Sequence, residues 1–110
     1  MNRATYIGEL EQMVLLAVLG LGSEVGAPAV REELASRAGR TVARGAVYIT
    51  LDRLVKKGYL QSRVARPTPE RGGRPNRFFN VTDEGRVALR TTREALIKLW
   101  AGCELALEER

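Results

Sequence analysis

RGAVYITLDRLVKKGYL, residues Arg44–Leu60, is the stretch whose period fixes the architecture. Its apolar residues Val47, Leu51, Leu54 and Val55 fall at i, i+4, i+7 and i+8, one stripe along a helix. Gly58 stops the helix after two lysines that suit the negative end of its dipole. At 3.6 residues per turn the opposite face carries Gly45, Ala46, Ile49, Asp52, Arg53 and Lys56, with Tyr48 on its flank. That face is small at its start and cationic further along, so it can approach a polyanion closely. An amphipathic helix with solvated Arg and Lys is also the commonest surface helix. The neighbouring segments therefore have to decide.

Working outward toward the N-terminus, Gly8–Leu21 reads as a helix. Leu10, Met13, Val14, Ala17 and Leu21 make one apolar face, and Leu15, Val18 and Leu19 spread it around the cylinder. Such a helix is buried on more than one side. In a small domain one side faces the core and the other a second copy, or else the intrachain core is more extensive. Gly20–Gly26 holds three glycines and reads as a turn. Pro28 suits the first turn of a second helix, with Val30 and Leu34 inward and Arg31, Glu32 and Glu33 outward. Gly39 ends it through a left-handed cap. The link Gly39–Val42 is short, so the two helices meet at a steep angle, with Thr41 near the second start. That is a helix-turn-helix, whose second helix can enter a major groove.

After Gly58 the period changes to two. Leu60, Ser62 and Val64 alternate with Gln61, Arg63 and Ala65, which predicts a half-buried strand. Arg66–Asn76, RPTPERGGRPN, is a loop by its prolines and glycines. Arg77–Thr82 is a second strand, with Phe79 and Val81 on one side and Phe78 on the other. Together they make a hairpin, or wing. From Arg63 to Arg77 five arginines face one acid, Glu70, a local charge of +4. A solvated loop would account for the same composition. Thr82 then caps a last helix with Asp83 and Glu84 in its first turn. This helix is expected to run toward Leu107. Leu89, Leu96, Trp100, Cys103 and Leu107 share one stripe on it. Few intrachain elements remain to cover that stripe, and a second copy would do so. Leu15, Val18 and Leu19 of the first helix are expected in the same interface. The chain thus divides into a winged helix-turn-helix domain, 1–82, and a C-terminal dimerisation helix, 83–110, mainly α with a small β-hairpin.

The totals agree with one domain of 110 residues, 45% hydrophobic and 28% charged. Net charge is +5, from 18 basic and 13 acidic residues, which favours an anionic partner. Histidine is absent and Cys103 is the single cysteine, so neither a metal site nor a cofactor is expected. With no paired carboxylates in a recognisable setting, no enzymatic chemistry is expected either. The apolar run Val14–Leu21 is too short to cross a bilayer. Glu9 and Glu11 precede it and no cleavage pattern follows, so a cytoplasmic location without membrane contact is expected.

These pieces resemble the winged helix-turn-helix regulators of the PadR family. The likeness is carried by LEQMVLLAVLGLG in Leu10–Gly22, GAVYITLDRLVKKGYL in Gly45–Leu60 and GGRPNRFFNVTDEGR in Gly72–Arg86. The short C-terminus is similar to that of the small members, which dimerise through this helix and the first. The resemblance implies a homodimeric transcriptional regulator, most often a repressor, bound to a palindromic double-stranded operator and released by a signal. It places the recognition role on Gly45–Lys57, with Tyr48 reaching the DNA backbone, and the wing role on Arg71–Arg77. The expected DNA contacts are then Thr41, Arg44, Gly45, Ala46, Tyr48, Ile49, Arg53, Arg71, Arg74 and Arg77. The family also implies a pocket at the dimer centre, here beside Leu96 and Trp100, for a planar aromatic effector. Filling the dimer core is the other role open to Trp100. Two departures stand out. Val25–Gly26 followed by Pro28 replaces the usual aromatic-Gly pair, and Ile49 stands where many members have a small polar residue or Pro. Base preference therefore does not transfer. A winged-helix module that binds protein rather than DNA is the alternative function, and it would not need the wing arginines.

Overall fold

The computed structural model describes residues 7–65 and 76–108. In chain order these form α1 (Glu9–Leu21), α2 (Ala27–Ala38), α3 (Arg44–Lys56), β1 (Leu60–Ala65), β2 (Asn76–Val81), α4 (Asp83–Trp100) and α5 (Glu104–Glu108). Three helices pack around one core, a two-stranded wing extends from it, and α4 leaves along its side.

The core is assembled by residues from nearly every element. Val14, Leu15 and Val18 of α1 meet Val30 and Leu34 of α2, Val47, Leu51 and Leu54 of α3, and Phe79 of β2. Burying side chains of this size stabilises by roughly 1.5–3 kcal/mol each. Pro28 lies in the first turn of α2, and Gly39 closes that helix in the left-handed region at φ 64°. In α3 the buried residues are Val47, Thr50, Leu51 and Leu54. Val55, expected in that stripe, is half-buried, and Thr50 takes the inner position instead. Its hydroxyl is accommodated by donating to the Ala46 carbonyl at 2.7 Å. Beyond Lys57 the chain reverses through Gly58 at φ 84°, and the Tyr59 N–H donates back to the Leu54 carbonyl at 2.9 Å.

The wing is antiparallel, with Leu60 opposite Val81 and Ala65 opposite Asn76. Val25, in the α1–α2 connection, adds a single bridge to Phe79, each N–H donating to the other's carbonyl at 3.1 and 2.9 Å. Leu60 is buried, but Val64 is 57% exposed. The alternation expected along β1 is thus realised only at the end that sits on the core.

Thr82 caps α4 as expected, its hydroxyl oxygen accepting from the Gly85 N–H at 3.0 Å and donating to the Gly58 carbonyl at 2.6 Å. Gly85 is forced by contact: a Cβ there would lie 2.4 Å from the Tyr59 carbonyl oxygen. The single helix expected to reach Leu107 is broken. α4 ends at Trp100, Gly102 adopts φ 84°, and α5 begins at Glu104. The regular spacing of Leu89, Leu96, Trp100, Cys103 and Leu107 passes straight through a glycine that acts as a helix terminator.

A second correction concerns α1. Leu15 and Val18 are fully buried within the protomer, and Leu89 of α4 is 7% exposed. Leu15 and Val18 are not left over for a partner, because the intrachain core uses them, and Leu89 shows only an edge, in the wall of a groove between α1 and α4. Leu19 is half-buried, and the apolar residues α1 presents outward are Leu16, 48% exposed, and Leu21 at its end, 40% exposed rather than on the inner face. Among the described residues no helix is long and apolar enough to cross a membrane.

Candidate nucleic-acid interface

The outer face of α3 is open. Arg44, Gly45, Asp52, Arg53 and Lys56 are exposed, and Ile49 is 60% exposed. Among the described residues a Cβ at Gly45 would meet nothing within 4 Å, so none of them crowds the start of the helix. Ala46 and Tyr48 are partly buried against the core, which places them at the edge of this face rather than at its centre. The Arg44 guanidinium stands over the Tyr48 ring at 5.8 Å from its centroid. Among the described residues Arg44, Arg53 and Lys56 take part in no salt bridge.

What holds α3 at its angle is the connection before it. Val42 is buried, and its carbonyl accepts from Arg31 Nε of α2 at 3.1 Å. Ala43 is the cap position, with no side-chain cap, so Thr41 lies exposed in the link two residues before the cap and does not cap the helix. At the other end Lys57 Nζ donates to both carboxylate oxygens of Glu11 at 2.8 and 2.9 Å. Glu11 is buried, and burial by itself would raise its pKa. The hydrogen bonds from Lys57 and the Gly8 N–H, with the positive charges of Lys57 and Arg53, outweigh that and hold the carboxyl below its usual range.

The wing meets α3 through a pair that the sequence did not announce. Arg77 Nη1 of β2 donates to Asp52 Oδ1 of α3 at 2.8 Å, and its guanidinium lies 4.9 Å from the Phe79 ring centroid. Arg63 of β1 is paired as well. Its Nε donates to Glu24 Oε1 at 2.8 Å, its Nη2 bonds the same oxygen, and it stands over Phe78 at 5.5 Å. Glu24 has φ 56°, unusual for a side-chain-bearing residue, and Asn80 secures it. The Glu24 N–H donates to Asn80 Oδ1 at 3.0 Å, and Asn80 Nδ2 donates to Glu24 Oε2 at 2.9 Å. Hydrogen bonds from Arg63 and Asn80 lower the Glu24 pKa. Arg71 and Arg74 lie outside the described residues. Asp52 and Glu24 are the functional candidates missed from sequence. The pairs span 25 and 39 positions, and no local spacing could have signalled them.

On α1, α4 and α5 apolar residues are left uncovered. A groove between α1 and α4 is lined by Leu16, Leu19, Leu96 and Ile97, with Arg86, Arg90 and Arg93 among its other walls. Leu96, Leu99, Trp100, Cys103 and Leu107 line a second hollow of about 410 Å³ across the α4–α5 break. Trp100 is 45% exposed. So Leu96 and Trp100 of α4, Cys103 of the turn and Leu107 of α5 do come together, across a break rather than along one helix.

The sequence matches the model of the Transcriptional regulator PadR-like family over residues 15–91. No curated protein matches it. Among solved structures, a PadR family transcriptional regulator from Eggerthella lenta DSM 2243 is similar, with a TM-score of 0.71 and 25% identity over 92% of this chain and 88% of that one. F93 from STIV, a winged-helix DNA-binding protein, gives a TM-score of 0.64 at 18% identity, covering 80% and 87%. Bacillus subtilis PadR in complex with operator DNA gives 0.62 at 17% identity, covering 74% of this chain and 44% of that one. The last two likenesses concern the fold alone. The family match runs from α1 into α4 and takes in the helix-turn-helix and the wing, and it is a match to regulators rather than enzymes. The chain belongs to the PadR-like family of transcriptional regulators.

Proposed function

We propose that this protein is a sequence-specific DNA-binding repressor that acts as a homodimer on a palindromic operator and is relieved by a signal. The observation that carries the reading is the unobstructed outer face of α3, small at Gly45 and cationic at Arg44, Arg53 and Lys56, beside an arginine-rich wing. In this reading Gly45 and Ala46 permit close approach at the helix start. Ile49 packs on a thymine methyl. Tyr48, Arg53, Thr41 and the wing residues Arg71, Arg74 and Arg77 address the backbone, which sets register rather than sequence preference.

Dimerisation is supported by the apolar surface left on Leu16, Leu96, Ile97, Leu99, Trp100 and Leu107. A stable interface buries on the order of 1,200–2,000 Å² in total. It would set two α3 helices about 34 Å apart, one turn of DNA. The hollow at Leu96 and Trp100 is the proposed seat of a planar aromatic effector, since aromatic stacking adds roughly 0.5–1.5 kcal/mol beyond area burial.

Selection of bound sequences from random duplexes, followed by binding to the winner across a salt series, tests the reading. A palindromic consensus with steep salt dependence is expected. Arg71→Ala and Arg74→Ala should each weaken all duplexes similarly and flatten the salt dependence by about one unit. Failure to enrich any sequence, together with binding to a protein partner that survives high salt, would replace this reading with that of a protein-interaction module.

A further inference from the structure

The sequence presents the wing as a block of uncompensated positive charge. The fold does not leave it so. Asp52 reaches Arg77 from the outer face of α3, and Glu24 reaches Arg63 from the α1–α2 connection. We propose that Asp52 is a built-in competitor of DNA phosphate for Arg77, and that it restrains sequence-independent binding. The proposal rests on the DNA-binding reading above and adds a determinant of specificity to it.

The geometry has three parts. A carboxylate oxygen 2.8 Å from a guanidinium nitrogen sits where a phosphate oxygen would sit, with the same charge-assisted bond. Asp52 lies on the same face of α3 as Ile49 and Lys56, and it is exposed. A pair this open to water adds little to stability, so stability does not explain an acid on a face that otherwise suits an anion. Finally, the Phe79 ring backs the guanidinium at 4.9 Å, so Arg77 is held against Asp52 from behind. Phosphate must therefore displace Asp52 to gain Arg77, and the displaced carboxylate then repels the phosphates around it. Non-specific affinity comes essentially from neutralising phosphates and releasing their counterions. Withholding one cation lowers that term and leaves the small, apolar reading surface at Gly45, Ala46 and Ile49 untouched.

The test measures binding of the full chain to a random-sequence duplex between low and moderate salt. Asp52→Asn is isosteric and on the surface, and its thermal melt should match wild type. It should bind the random duplex about tenfold more tightly at about 0.1 M salt, with a salt slope steeper by about one unit. Asp52→Asn combined with Arg77→Ala removes a neutral pair, and should return to within roughly twofold of wild type. Asp52→Glu, which keeps the charge, should stay near wild type. If Asp52→Asn binds the random duplex no more tightly than wild type at any salt, the acid only braces the wing and the proposal is overturned. Wild-type protein that binds neither random nor selected duplexes at low salt would overturn the DNA-binding reading, and this proposal with it. Wild-type binding with normal salt dependence and an inert Asp52→Asn would overturn the proposal alone.

Discussion

Glu11 and Gly85 are the residues at which single atoms decide most. Glu11 is a buried acid whose charge is matched by Lys57 Nζ at 2.8 Å. Its pKa in the fold lies below the ordinary 4.5, so the folded state binds its proton less readily than the unfolded chain. Its contribution to stability is therefore complete above the unfolded value and fades as pH falls through the folded one. Glu11→Gln should cost about 1–2 kcal/mol near neutral pH and nothing at the acid end, where both proteins are uncharged at this site. Denaturant midpoints of the two proteins across an acid pH series should converge, and a constant gap would contradict the account. For Gly85 the limiting atom is the Tyr59 carbonyl oxygen, 2.4 Å from where a Cβ would go. Backbone cannot step aside as a side chain can, so Gly85→Ala should lose about 1–3 kcal/mol in equilibrium unfolding.

At the scale of elements, the connection between α1 and α2 behaves as a third, one-residue strand. Glu24 holds it there against a left-handed backbone, through Arg63 and Asn80. Glu24→Ala keeps the unfavourable backbone and loses the carboxylate, whereas Glu24→Gly relieves the backbone and loses the same bonds. Amide exchange at Val25 and Phe79 should quicken in both, and more in the alanine protein. Equal protection in wild type and both variants would show that the bridge stands without the clamp. The helices were legible because Val47, Leu51, Leu54 and the pair Val30 and Leu34 repeat at helical spacing, and the wing because the period switches at Gly58. Three features escaped for physical reasons. A stripe counted through Gly102 says nothing of the backbone turn that glycine makes, and α4 stops short. An all-round apolar helix shows that more than one side is buried but not against what, so the sequence does not tell that the core itself holds Leu15 and Val18. The acids that meet Arg63 and Arg77 are brought there only by tertiary folding, and no reading of α3 or of the wing alone would reveal them.

For the whole molecule the governing quantity is how the uncovered apolar surface is shared. Leu96→Asp would set a charge in the groove between α1 and α4, and should give a monomer or an aggregate with operator binding lost. Sedimentation at micromolar concentration checks this, and a wild-type protein that runs as a monomer would refute the two-fold scheme. Trp100 is the only tryptophan, so its emission reports the α4–α5 hollow without ambiguity. One member of a panel of planar aromatic compounds should quench it saturably and weaken operator binding. If none does, and Trp100→Ala merely loosens the dimer, the ring fills the interface and the signal enters elsewhere.

The Glu11–Lys57 tie has a mechanical consequence in such a dimer. It pins α3 to α1 at its far end, while Arg31 of α2 holds the near end through the Val42 carbonyl, so α3 turns with α1 and α2 as one lever. With α3 helices about 34 Å apart, each lies about 17 Å from the two-fold axis. A turn of each protomer through about 10° would then carry α3 sideways by about 3 Å, close to the rise of one base pair. A guest that prises the two copies apart by that small angle would throw both helices out of step with the grooves, without ever touching the surface that reads them.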